Sequence, residues 1–203
     1  LLEWKRKPDH KPLIIRGARQ VGKTTLVNEF GKKFRHFISL NLEKSDDRKL
    51  FENLERTKDI IEAIFLRSGT PMTTDPTLLF LDEIQESPKA VAHLMYFFEE
   101  FPQLHVIAAG SLLEFALKNV PSFPVGRVEQ IVLHPLDFDE FLLATGNQNA
   151  LAELDNIPVK NYAHEILIEL FHLYAIIGGM PEVIKKYIEE GSVINLGDVY
   201  RNI

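Results

Sequence analysis

The stretch IIRGARQVGKTTL, Ile14 to Leu26, sets two glycines, a lysine and two threonines between an apolar run and an amphipathic one. The spacing Gly17-x-x-x-x-Gly22-Lys23-Thr24 fits the pattern in which consecutive backbone N–H groups of a loop wrap a phosphate chain. In this reading Gly17, Ala18, Arg19, Gln20, Val21 and Gly22 form the cradle. Lys23 reaches the β- and γ-phosphate oxygens, the Thr24 hydroxyl holds Mg2+, and Thr25 completes the nucleotide-binding set. A helix opening near Lys23 aims its positive N-terminal end at the same phosphates. At ordinary composition such spacing arises by chance in about one 200-residue chain in a hundred. Context narrows the odds: Leu13 to Ile15 read as a short buried strand entering the loop, and Leu26, Val27 and Phe30 as one face of the helix leaving it.

Outward from the loop the elements alternate. HFISLNL (His36 to Leu42) reads as a second strand, and Leu50, Leu54, Ile61, Ile64 and Phe65 recur at helical spacing until SGTP stops them. TLLFLDE (Thr77 to Glu83) is a continuous apolar run ending in two carboxylates, as a central parallel strand requires. Ser87-Pro88 suits an N-cap and first helical residue, with Val91, Leu94, Met95 and Phe98 on one face of the helix that follows. HVIAA (His105 to Ala109) predicts a fourth strand, Leu112 to about Asn119 a helix, and RVEQIVL (Arg127 to Leu133) a fifth strand. Strands alternating with helices through short links predict an α/β doubly wound parallel sheet with its ligand at the carboxyl edge.

Past His134-Pro135 the pattern becomes helical only: Asp137 to Thr145, Tyr162 to Ile177, and Pro181 to about Glu190. This predicts a core over residues 1–135 and a small all-helical lid over 136–203. The polar link NQNALAELDNIPVKN reads as a mobile surface excursion, and GGMP (Gly178 to Pro181) as a left-handed C-cap followed by a proline that opens the next helix.

The chain has 203 residues, 45% of them hydrophobic, enough for one solid core and a small appendage. A formal net charge of −6 gives nucleic acid little support as a partner, the basic opening KRKPDHK (Lys5 to Lys11) being the local exception and read as a solvated face. With no cysteine, disulfides, thiolate metal sites and cysteine nucleophiles are excluded. Apolar runs are short and broken by charge, so no membrane association is expected and a cytoplasmic setting is the default. The first residue is Leu and the last stretch, DVYRNI, has no cap, which suggests a fragment.

Asp82 and Glu83 end the third strand on the edge where the glycine loop ends the first, and a Mg2+·nucleotide needs two different carboxylates there. Asp82 suits the metal and Glu83 the attacking water. Ser111, directly after the fourth strand, suits the γ-phosphate, yet Ser111-Leu-Leu-Glu114 is equally a capping box that needs no ligand. Arg127 is the type of residue that stabilises transition-state charge, although a lone arginine is more often on the surface.

Taken together, PLIIRGARQVGKTTL, LLFLDEIQESP, VIAAGSLL, FPVGRVEQIVLHPLDFDEFL and IIGGMPEVI resemble a bacterial and archaeal group of AAA-type P-loop ATPases whose members usually carry a C-terminal domain, nuclease-like or winged-helix. The resemblance spans Lys11 to about Tyr187. It implies a P-loop NTPase sheet of order 5-1-4-3-2, with Gly17 to Thr24 as the Walker A loop, Asp82 as the Walker B aspartate, Glu83 as catalytic base and Ser111 as sensor. It further implies that Arg127 completes the ATP site, in cis or from a neighbour, and that Pro181 is the lid proline resting against nucleotide. Asn41 would be the polar switch that holds Glu83 away until a partner engages. By the same resemblance, the group's C-terminal domain would be expected outside this stretch of sequence.

The activity expected is Mg2+-dependent hydrolysis of ATP to ADP, alone or as a homo-oligomer or with a partner protein. A nucleotide-dependent binding switch with little turnover is the alternative. A small-molecule kinase is disfavoured, because Pro135 to Tyr187 has no arginine.

Overall fold

The computed structural model describes residues 1–73, 75–111, 126–193 and 197. Its chain divides into two compact units: one of Leu1–Gly17 and Gly22–Leu133, the other of Ala18–Val21 and the chain from His134.

In the first unit a five-stranded, wholly parallel sheet forms from β1 (Leu13–Arg16), β2 (His36–Asn41), β3 (Thr77–Asp82), β4 (His105–Gly110) and β5 (Glu129–Val132), in the order β2-β3-β4-β1-β5. This is the predicted order, read from the other edge. β4 is inserted between β1 and β3, pairing Ile107 with Leu13 and with Phe80. Parallel strands put every carboxyl end on one edge, so the glycine loop after β1, Asp82 at the end of β3 and Ser111 after β4 emerge together.

Because strand side chains alternate, a run buried on both faces must be apolar at every position. In β3 the Leu79 and Leu81 side chains join Ile14, Val106 and Ala108 on one face. There they pack against α3 (Ser45–Asn53), α4 (Thr57–Ser68) and α5 (Pro88–Glu100) through Phe51, Ile60, Ile64, Leu94 and Phe97. Leu78 and Phe80 face the other way with Leu13, Ile15 and Ile107, against Val27 and Phe30 of α2 (Lys23–Gly31) and Trp4 of α1 (Leu2–Arg6). α5 starts as predicted: Ser87 Oγ accepts from Ala90 N at 3.2 Å, and Pro88 takes the first helical position, where a missing N–H costs nothing.

Several expectations need correction. The basic opening is exposed at Arg6 and Lys7 but not throughout: His10 is buried, and the neighbouring Trp4, also buried, donates its Nε1 to Lys11 O at 2.7 Å. The single helical run after β2 is two helices, α3 and α4, with Leu54 extended between them. β5 begins at Glu129, two residues after Arg127. The helix predicted over Leu112 to Asn119 lies outside the described residues.

The second unit contains α6 (Phe138–Ala144), α7 (Gln148–Leu154), α8 (Asn161–Ile177) and α9 (Pro181–Glu190). α6 begins with a full capping box, Asp137 accepting from Glu140 N at 2.9 Å and Glu140 from Asp137 N at 3.1 Å. The polar link is no bare excursion, since α7 forms within it and packs Ala150, Leu151 and Leu154 on a core of Phe141, Leu142, Leu167, Ile177, Val183 and Ile184. Its apolar spacing is too short to register as helical periodicity by itself. Gly178 is not a left-handed cap either: φ 68°, ψ −176° is a conformation open essentially to glycine alone. Among the described residues no single helix is long and apolar enough to cross a membrane.

Candidate functional site

The glycine loop leaves β1 and enters α2 through Gly22, whose φ of 96° suits a residue without Cβ. Gln20 also has positive φ, 59°, so two left-handed positions within three residues curl the loop backbone. Ala18, Arg19 and Gln20 are exposed, Val21 is buried beneath them, and Thr25 faces outward in the first turn of α2. Lys23 is 6% exposed, and its ammonium donates to Gly17 O at 3.1 Å, folding the side chain back along the loop.

Asp82 is buried at the end of β3. Thr24 Oγ1 donates to its Oδ2 at 2.7 Å, and Glu83 N donates to its Oδ1 at 3.1 Å. Burial pushes the Asp82 carboxyl above its ordinary value and the neighbouring Glu83 charge adds to the rise, whereas the Thr24 and Glu83 hydrogen bonds and the Lys23 charge oppose it. A carboxylate held in that balance gains from a cation, and a hydroxyl beside it supplies a second oxygen ligand. The donor set therefore fits a hard divalent ion such as Mg2+.

Glu83 adopts φ 51°, ψ 47°, a left-handed conformation unusual for a residue with a side chain. A 3-10 turn, Ile84–Glu86, follows, and Gln85 Nε2 donates to Glu83 Oε2 at 2.6 Å. Asn41 pairs in register with Asp82, but its Oδ1 accepts from Glu43 N at 2.9 Å and caps its own turn. Ser111 Oγ is buried with no hydrogen-bond partner among the described residues. Glu114, its capping-box partner, lies outside the described residues.

Lys23, Thr24, Asp82, Glu83 and Ser111 thus come from three adjacent strand ends to one edge. A model for a family described as an AAA domain matches residues 9–142. The chain belongs to this family. Its fold is similar to that of a Walker-type ATPase of Pyrococcus abyssi, with a TM-score of 0.56 and 16% identity over 98% of this chain and 69% of that one. It is also similar to Drosophila ORC, solved bound to DNA, with a TM-score of 0.53 and 16% identity over 98% of this chain and 64% of that one. No curated protein sequence matches it.

One residue singled out in the sequence, Arg127, lies away from the carboxyl edge of the sheet in this AAA-type P-loop ATPase domain. Arg127 precedes β5, whose Glu129 pairs with Leu13 at the amino edge of the sheet, and its guanidinium binds Glu99 of α5 at 2.7 Å. Pro181 opens α9 in the second unit of the AAA domain, with Met180 as its N-cap. Gln85 was missed by sequence reasoning; its only signal was a polar residue two places after the paired acids.

Proposed function

We propose that this AAA domain is a Mg2+-dependent ATPase module in which Glu83 activates the attacking water. The observation that carries the reading is the 2.7 Å bond between Thr24 and Asp82, with Glu83 next in the chain. In this reading Thr24 and Asp82 hold Mg2+, which supplies Lewis-acid neutralisation of phosphate charge when bound. The backbone amides from Gly17 to Gly22 and the Lys23 ammonium hold the β- and γ-phosphates, with Ala18, Arg19, Gln20, Val21 and Thr25 shaping the cradle. Glu83 takes a proton from water as its oxygen bonds to the γ-phosphorus; the bond from that phosphorus to the β–γ bridging oxygen breaks, and ADP departs. Ser111, with its buried hydroxyl, orients the γ-phosphate.

Arg127 sits at the wrong edge of the sheet to serve its own loop, which favours a role in trans from a neighbouring copy. Residues 1–135 act as the catalytic core and 136–203 as a lid, with Pro181 at the lid's nucleotide contact. A reducing, cytoplasmic setting suits a chain without cysteine.

The test is steady-state ATP hydrolysis with and without Mg2+, alongside calorimetry of nucleotide binding. Lys23→Ala is expected to abolish binding or weaken it severely. Glu83→Gln is expected to bind normally and to lose about 100-fold or more in turnover. Wild-type turnover by Glu83→Gln would remove Glu83 as base. Tight binding with no turnover in the parent chain would instead support a nucleotide-dependent switch.

A further inference from the structure

We infer that Gln85 is a positioning residue for Glu83, fixing which carboxylate oxygen is left to meet water; this rests on the reading of Glu83 as the catalytic base. Residues two apart on a helix do not face each other. Here the left-handed backbone of Glu83 and the 3-10 turn after it bring the two side chains to 2.6 Å, Gln85 Nε2 donating to Glu83 Oε2.

The turn that does this is anchored at both ends. Glu86 N donates to Glu83 O at 3.0 Å, Ser87 N to Ile84 O at 3.1 Å, and Ile84 is fully buried. Asp82 is fixed by the sheet, with Leu42 N donating to its carbonyl at 2.9 Å, and Ser87 by its capping bond to Ala90 N. The backbone that carries the two side chains is thus held on both sides.

The amide has one workable orientation. Its NH2 faces the carboxylate, because the flipped rotamer would set oxygen against oxygen. That leaves Gln85 Oε1 buried and without a hydrogen-bond partner among the described residues. A buried acceptor left open costs free energy, and an O–H from water satisfies it. A water donating there lies beside the carboxylate that the same amide holds, with Glu83 Oε2 engaged and Oε1 left to take the proton. Asn41, which pairs with Asp82 from the end of β2, spends its oxygen on Glu43 N.

The experiment compares Gln85→Ala and the isosteric Gln85→Glu with the parent chain, each also in a Glu83→Gln background. Expected are a fall in kcat of at least about tenfold, KM and calorimetric affinity for ATP within about twofold, and no further loss when Glu83 is already Gln. An unchanged or higher kcat, or the same loss in the Glu83→Gln background, would overturn the inference. A second arm needs no turnover: the Gln85 side-chain amide resonance, identified by its absence in Gln85→Ala, is expected to move in Glu83→Ala. A resonance that stays in place would overturn the contact itself. If Glu83→Gln hydrolyses at the parent rate while that resonance still moves, the base assignment has failed and the contact stands without a catalytic role.

Discussion

Thr24 Oγ1 donates to Asp82 Oδ2 at 2.7 Å, joining the helix after β1 to the end of β3 across the intervening strand β4. In sequence the two residues are 58 positions apart. The meeting depends on β3 running in the same direction as β1, since a β3 reversed relative to β1 would send Asp82 to the opposite edge. Both oxygens of the buried carboxylate are thereby hydrogen-bonded, since the other accepts from Glu83 N at 3.1 Å.

That balance makes Asp82→Asn a variant that trades function for stability. The folded-state pKa of Asp82 lies above the ordinary 3.8, chiefly through burial. The folded protein thus binds this proton more tightly than the unfolded chain, and the ionised form costs stability at every pH above the raised value. The cost fades as pH falls through that value and is gone below 3.8. Asparagine keeps an acceptor for Glu83 N and a partner for the Thr24 hydroxyl. In nucleotide-free thermal melts, Asp82→Asn is expected to raise Tm by a few degrees at pH 7, with the gap closing on acidification, while Mg2+-dependent nucleotide binding is lost. A lower Tm at pH 7 would mean that the lost hydrogen-bond geometry outweighs the burial cost.

His105 should set an acid limb of stability in the first unit. Its ring stacks on His10 at 3.8 Å, meets Trp4 and Phe34 edge-on, and lies beside the Lys5 ammonium that covers Phe34. Burial, with the neighbouring His10 adding to it, lowers its pKa from 6.5 to about 4. A group with a depressed folded pKa that is neutral when deprotonated contributes fully above 6.5, and that contribution is lost as pH falls towards 4. His105→Phe keeps the aromatic contacts and removes the proton site. The urea midpoint of the variant is expected to fall less than the parent's between pH 6.5 and 4, followed by fluorescence of Trp4, the sole tryptophan. Parallel curves would assign the acid limb to other groups.

Gly179 is required by contact rather than by φ. A Cβ there would lie 2.1 Å from Leu136 O, and Gly179 O accepts from Leu136 N at 2.8 Å. Gly179→Ala must push the two segments apart, and a loss of about 2 kcal/mol or more is expected, read from urea unfolding of the second unit or its proteolysis rate. Gly146→Ala is the comparison: φ is +78° with open space around the added Cβ, so about 1 kcal/mol of backbone strain is all that it costs. Equal losses would show that the close approach at Leu136 relaxes freely.

Much of the candidate site is legible in the sequence alone. Gly17, Gly22, Lys23 and Thr24 are dictated by loop curvature and charge within eight residues, so spacing alone identifies them. Asp82 and Glu83 were legible because a strand buried on both faces is a run of apolar residues, and the run TLLFL stops at them. Trp4 was hidden among charges, because one indole gives no periodicity. α7 was hidden because its seven residues are too few for one.

Local chemistry in the sequence therefore determined the elements, the phosphate-type loop and the paired acids, since each is encoded within one turn or one strand. The tertiary structure alone decided that Thr24 meets Asp82, that Gln85 rather than Asn41 holds Glu83, and that Arg127 binds Glu99 at the far edge of the sheet. Those relationships depend on which strands become neighbours and on a left-handed residue at Glu83. Both are set by packing the whole sheet at once, and neither leaves a periodic trace in the chain.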